Sequence, residues 1–171
     1  MNTLDGIVNK LVSIEVAKAT LEKWKTEGNK VVFTNGCFDI LHRGHVTYLA
    51  HAADFGTKLV LGLNSDASVK RQGKGEDRPI NDEESRSLVL GALGFIDLIV
   101  IFEEDTPLTI ISQIRPDILV KGADYDANER DPNSSKYIVG SDLVRSYGGE
   151  VKTVSLVEGF STTAIVKRIK N

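Results

Sequence analysis

The chain is punctuated by short runs that are apolar at every position instead of every second one: VVF within residues 30–34, KLVLGL at 58–63, DLIVIF at 97–102 and DILVK at 117–121. A strand with one face in water alternates apolar and polar residues. A continuous run therefore belongs to a strand covered on both faces, as in parallel sheets layered between helices. Helical spacing fills the gaps. Residues 13–27 put Ile14, Ala17, Leu21 and Trp24 on one stripe that Gly28 stops, with Trp24 a packing residue in the core or in a subunit contact. Further helices are expected over 44–55, 67–71, 81–93 with Asn81 and Glu84 as a capping box, 108–114 entered at Pro107, 139–147 and 164–169. Residues 150–154 add another strand, and 122–140, dense in turn formers, form an irregular excursion. The alternation defines an α/β protein: a doubly wound, Rossmann-like parallel sheet of about five strands with helices on both faces.

At 171 residues this is expected to be one domain spanning 1–171. The net charge of −3 gives no reason to expect nucleic acid as a partner. A lone cysteine, Cys37, excludes an intrachain disulfide and a multi-cysteine zinc cluster. The first thirty residues hold no apolar run of secretory or transmembrane length, so a cytoplasmic location with no membrane partner is expected. The amphipathic N-terminal helix suits a homodimer.

Chemistry concentrates in residues 30–49, KVVFTNGCFDILHRGHVTYL, where a strand, a tight exit at Gly36 and a helix opening at Gly44 and His45 aim backbone N–H groups at an anion. His42 and His45 stand three apart at that opening, sharing a face if the first turn includes both. As metal ligands they need a third from His51 or Cys37, and neither spacing matches a known cluster. They are capping histidines or phosphate contacts, and Gly36 and Gly44 favour the second. Cys37 at a strand exit is a packing residue before it is a nucleophile. Neither GxGxxG nor a Walker lysine motif is present. Ser161 and Thr162 cap a second helix N-terminus, and the 70–79 loop carries Lys70, Arg71 and Lys74, either to close over phosphates or as a solvated charge run. These segments follow strands, so they converge on one edge of the sheet.

The residues Gly36-Cys37-Phe38-Asp39-Ile40-Leu41-His42-Arg43-Gly44-His45 match the GxFDxxHxGH signature of the cytidylyltransferase-like nucleotidyltransferases, and Ser161-Thr162-Thr163 resembles their second signature. TNGCFDILHRGHVTYL, LNSDASVKR, Arg78-Pro79, VLGAL, FEEDTP and ILVKGADY together resemble the heptose 1-phosphate adenylyltransferase domain of bifunctional ADP-heptose synthesis proteins, which serve lipopolysaccharide biosynthesis. The likeness runs from about Val12 to Ile169.

The resemblance implies transfer of AMP from ATP, with Mg²⁺, to a small sugar phosphate, with release of pyrophosphate and no covalent intermediate. It gives His42, His45 and Lys74 catalytic roles, Lys74 being preferred to Lys70 because Lys74-Gly75 matches the family's lysine-glycine pair. It assigns the nucleotide to Thr34, Asn35, Gly36, Cys37, Phe38 and Gly44, with Gly122 and Asp124 at base and ribose and Ser161, Thr162 and Thr163 at the phosphates. Asp39 contacts the acceptor or caps the turn, and Arg86 is a phosphate ligand or a structural ion pair; no residue is assigned to a resident metal. Leu156 and Val157 stand where cytidine-using relatives place an arginine before the acidic-Gly pair, here Glu158-Gly159, and argue for ATP over CTP. Glycerol 3-phosphate is the alternative acceptor, and a non-catalytic nucleotide-binding module the alternative class. The family often fuses this domain to a sugar kinase; a separate kinase is expected to supply the substrate here.

Overall fold

The computed structural model describes residues 2–73 and 77–170. Its centre is a parallel sheet of β1 (Val31–Gly36), β2 (Lys58–Asn64), β3 (Leu98–Phe102), β4 (Ile118–Gly122) and β5 (Glu150–Val154), in the order β3-β2-β1-β4-β5. The winding runs one way from β1 through β2 to β3, then resumes on the other side of β1 with β4 and β5. The reversal between β1 and β4 is the switch point, where a crevice opens beyond the strands' carboxyl ends.

Successive residues of each strand enter different cores, which is why the apolar runs are unbroken. Val31 and Phe33 of β1 pack with Ala17 and Leu21 of α2 (Ile14–Thr26), Ile110 and Ile111 of α6 (Leu108–Ile114) and Val144 of α7 (Ser141–Ser146). Val32 packs on the opposite face with Leu49 and Ala52 of α3 (Arg43–Ala53) and Leu90 of α5 (Glu83–Gly91). Trp24 lies partly buried against the first of these cores, with the Lys58 ammonium 4.9 Å from its ring centroid.

Helix ends follow local chemistry. The Ser13 hydroxyl caps α2, Ser65 caps α4 (Asp66–Arg71), and Gly28 takes φ 81° just past α2. The cap of α5 differs from expectation. Asp82, not Asn81, accepts the Ser85 N–H at 2.7 Å, because Asn81 is turned away to bond Asp39. One helix was not foreseen: α1 (Thr3–Val8), closed by reciprocal Asn2 and Asp5 bonds. Residues 10–12 then run along the edge of β3, with Val12 N–H donating to Ile99 O at 3.0 Å and Ile99 N–H to Lys10 O at 2.7 Å. The 122–140 excursion is irregular as expected. It is closed by Asp126 N–H on Lys136 O at 3.0 Å and by the Lys136 ammonium on Asp124 O at 2.7 Å. The final helix, α8 (Thr162–Lys170), follows β5 and starts at the same sheet edge as α3. Among the described residues, no helix is long and apolar enough to cross a membrane.

Candidate active site

The site is built where β1 delivers the chain into α3. Phe38 adopts φ 46°, a left-handed conformation that folds its ring back over the strand end. A side chain at Gly36 would put its Cβ 2.8 Å from that ring, so only glycine fits the exit. His42 is the N-cap of α3, and its Nδ1 accepts the His45 backbone N–H at 3.3 Å. An imidazole nitrogen that accepts carries no proton, so neutral His42 holds its proton on Nε2. That Nε2 is buried with no hydrogen-bond partner among the described residues. Burial lowers the His42 pKa from its ordinary value, outweighing the opposing effect of the backbone hydrogen bond, and keeps the neutral form. The His45 ring stacks on His42 at 3.7 Å and 18°, and Phe38 meets His45 edge-on at 5.1 Å.

A cavity of about 360 Å³ opens above this turn. Asn35, Gly36, Cys37, Phe38 and Asp39 line it from the β1 exit, and His42, Gly44 and His45 from the start of α3. Gly122 and Asp124 line it from beyond β4, and Ser161, Thr162 and Thr163 from the start of α8. The Ser161 hydroxyl caps α8 by accepting the Ala164 N–H at 3.1 Å, so two helix N-termini border one cavity. Gly44 lets them approach. A Cβ there would lie 3.1 Å from both the His42 ring and Phe160 Cβ, while the Arg43 guanidinium sits 5.5 Å from the Phe160 ring centroid. Donors converging on a pocket of this size suit a nucleotide's phosphates.

Three expected residues stand elsewhere or are otherwise engaged. Thr34 is fully buried behind the cavity wall, its hydroxyl 2.7 Å from the Tyr48 hydroxyl, and does not line the cavity. Arg86 is engaged inside the protein, on the structural side of its two expected roles. Its side chain is fully buried and donates to Asn81 O at 3.0 Å, Cys37 O at 2.7 Å, Asn64 O at 2.8 Å and the Asp66 carboxylate at 2.7 Å. Such a site consumes the guanidinium's donors inside the protein.

Asp39 touches the cavity wall, yet its carboxylate caps the turn. Oδ1 accepts the N–H groups of Ile80 and Asn81 at 2.8 and 2.9 Å, and Oδ2 pairs with Arg78. Burial alone raises this carboxyl; the Asn81 and Ile80 N–H groups and Arg78 outweigh it and hold the pKa below the usual range. The Cys37 thiol is buried and points to the Gln72 side-chain oxygen at 3.2 Å. Lys74 lies outside the described residues.

The cavity also holds Leu156 and Val157, which the sequence read as favouring ATP over CTP, and Tyr48, Arg78, Lys121 and Phe160, which sequence reasoning did not assign to the site. Two had a visible signal. Tyr48 is three residues beyond His45 on the same helix, and Lys121 immediately precedes Gly122 at a strand's carboxyl end. The Tyr48 hydroxyl also donates to Val120 O at 3.2 Å, tying α3 to both strands of the switch point.

A doubly wound sheet with an HxGH helix start at its switch point, faced by a second capped helix, defines a nucleotidyltransferase architecture. The chain belongs to the cytidylyltransferase-like family, whose model matches residues 33–168. Its relatives include the Bifunctional protein HldE of Magnetococcus marinus, 55% identical over 161 residues that make up 94% of this chain and 31% of that protein. The protein of the same name from Campylobacter concisus is 57% identical over 164 residues, 95% of this chain and 31% of the relative. The chain thus spans about a third of the length of these curated relatives. Among solved structures, the lipopolysaccharide core biosynthesis protein from Thermoplasma volcanium matches with a TM-score of 0.57 at 27% identity, covering 76% of this chain and 98% of that one. Pantothenate synthetase from Thermus thermophilus shares the fold, with a TM-score of 0.57 at 19% identity over 86% of this chain and 62% of its own.

Proposed function

We propose that the chain transfers AMP from ATP to a sugar 1-phosphate, D-glycero-D-manno-heptose 1-phosphate, releasing pyrophosphate and forming ADP-heptose. The observation that carries this reading is the His42 tautomer: Nδ1 is occupied as an acceptor, leaving a buried Nε2–H donor at the N-terminus of α3.

In this reaction an oxygen of the acceptor phosphate bonds to the α-phosphorus of ATP while the bond from that phosphorus to the bridging oxygen breaks, and pyrophosphate leaves with the electron pair. The attacking oxygen is already anionic, so no general base is needed. What the site must supply is hydrogen bonding to charge that builds on the α-phosphate oxygens. His42 supplies it through Nε2–H, His45 acts beside it on the same helix turn, and the α8 N-terminus with Ser161, Thr162 and Thr163 holds the remaining phosphates. Gly122 and Asp124 border the base and ribose side. Lys74, outside the described residues, keeps its proposed catalytic role, aiding the histidines at the α-phosphate oxygens.

Mg²⁺ enters with ATP as part of the substrate, neutralising triphosphate charge. Leu156 and Val157 present an apolar wall in place of the arginine of cytidine-using relatives, which supports ATP over CTP. The motif resemblance supports heptose as the sugar. Dependence on ATP fits a cytoplasmic enzyme, and the amphipathic N-terminal helix suits assembly as a homodimer. Pyrophosphate release measured for ATP and CTP against heptose 1-phosphate and glycerol 3-phosphate tests the assignment. Heptose 1-phosphate with ATP is expected to give the highest kcat/KM, and a preference for CTP or glycerol 3-phosphate would overturn it.

A further inference from the structure

Among the described residues, the ladder between β1 and β4 pairs Val32 with Ile118 and Phe33 with Leu119 and then ends. On their other sides the same strands stay paired further, β1 with β2 to Gly36 and Leu63, and β4 with β5 to Gly122 and Val154. The two strands of the switch point therefore part at the next residues, Thr34 and Val120. The Tyr48 hydroxyl fills that parting: it donates to Val120 O at 3.2 Å and lies 2.7 Å from the Thr34 hydroxyl. A phenol has one proton and a carbonyl can only accept, so Tyr48 gives its proton to Val120 and Thr34 donates to Tyr48. Burial raises the Tyr48 pKa above its ordinary value against the opposing Thr34 bond, and the hydroxyl stays protonated.

We infer that Tyr48 is a positioning residue for the transfer reaction: the tie of its hydroxyl to Thr34 and Val120 sets where the first turn of α3, and with it His42 Nε2, stands over the switch point. This rests on the nucleotidyltransferase reading above and adds a residue to it. Tyr48 follows His45 by three residues and lies one turn along the same helix face. Backbone bonds close the turn between them, with Val46 N–H donating to His42 O at 3.1 Å, so a shift at Tyr48 is carried to the cap. Leu49 and Ala52 also hold α3 to the sheet, but they do so in the apolar core with Val32, and apolar packing has no preferred direction. A hydrogen bond to a strand carbonyl fixes both a distance and an angle. Placement matters because His42 donates to charge that builds only in the transition state, and a misplacement of about 1 Å can cost about 10²-fold in rate.

The test uses Tyr48→Phe, Thr34→Val, Thr34→Ser and the double variant Tyr48→Phe/Thr34→Val in the full chain. Melting temperature checks folding, and steady-state rates are taken well below it with each substrate varied in turn. Tyr48→Phe should lower kcat by about tenfold to a hundredfold with KM for ATP and for the sugar 1-phosphate nearly unchanged, as for stabilisation lost only in the transition state. Thr34→Val should act in the same sense, and Thr34→Ser, which keeps the hydroxyl, should recover part of that loss. The double variant should lose no more than Tyr48→Phe alone, because both substitutions break one tie. A Tyr48→Phe protein that melts lower yet keeps the wild-type kcat overturns the inference, as does a rise in KM alone or additive losses in the double variant.

Nitrogen NMR of the imidazoles repeats the comparison without turnover. Wild type should show His42 protonated on Nε2, and Tyr48→Phe should shift both of its nitrogen signals. Those shifts together with no pyrophosphate release by the wild type defeat the catalytic reading alone. Identical His42 signals in wild type and Tyr48→Phe, with pyrophosphate released by the wild type, defeat the Tyr48 assignment alone.

Discussion

The backbone N–H of His45 donates to Nδ1 of His42 at 3.3 Å, so the residue that caps α3 also has its own proton placed by that cap. Ser, Thr, Asp and Asn are the usual N-caps. An imidazole does the same work and, unlike a hydroxyl or carboxylate, leaves a second nitrogen facing away from the helix with a hydrogen on it. On the proposed reaction, helix capping and transition-state donation are a single arrangement.

His42→Ala should therefore lose both. Removing a preorganised donor lowers kcat by roughly 10²- to 10³-fold, and removing the cap lowers stability by about 1 kcal/mol. His42→Asn keeps a capping acceptor without the Nε2–H donor. It should hold near-native stability by urea titration while kcat stays depressed, and recovery of both together would contradict the dual role.

The same geometry sets a pH dependence. The His42 pKa is lowered from 6.5, with burial the leading cause, so the unfolded chain binds this proton more readily than the folded one. The resulting stability is fully present above about 6.5 and is lost as pH falls from there through the lowered folded value. Urea midpoints compared between wild type and His42→Asn across that range should agree above 6.5 and diverge below it, wild type falling while the variant holds. Parallel curves would show that His42 titrates alike in both states.

Asp39 and Arg78 form a buried ion pair that joins the HxGH turn to the segment entering α5. Asp39→Asn leaves the Arg78 charge without its partner, and breaking such a pair typically costs about 3–5 kcal/mol. Because the Asp39 carboxyl sits below its usual 3.8, its contribution persists in mild acid and is lost only as pH falls through the lowered value. Thermal unfolding of Asp39→Asn against wild type checks the magnitude, and a melting temperature unchanged from wild type would contradict it.

Arg86→Lys should act on stability and leave KM for both substrates nearly unaltered. One ammonium cannot reach the Asn81, Cys37 and Asn64 carbonyls and the Asp66 carboxylate together. Denaturant midpoints and steady-state kinetics on the same preparation separate the two effects, and a selective rise in KM would make Arg86 a ligand after all.

The layered sheet was legible because each apolar run is an unbroken strand. The turn residues His42, Gly44 and Ser161 were legible because strand, glycine and cap fall in sequence order. Partners distant in sequence were not. Nothing local distinguishes an Arg86 that binds phosphate from one consumed by the backbone carbonyls of Cys37, Asn64 and Asn81, or an Asp39 facing substrate from one accepting the N–H of Ile80. Asn81 shows how such contacts override a local rule: its expected capping role passed to Asp82 because Asp39 engages it from 42 residues away. α1 went unread because it contributes no fully buried residue and its apolar stripe is short.

The most direct measurement follows ATP, Mg²⁺ and heptose 1-phosphate by phosphorus NMR as the protein is added. Equimolar appearance of pyrophosphate and of a nucleotide sugar with two coupled phosphorus signals is the predicted result, with both suppressed in His42→Ala. Tight ATP binding without pyrophosphate release, against this or any other acceptor phosphate, would contradict the account.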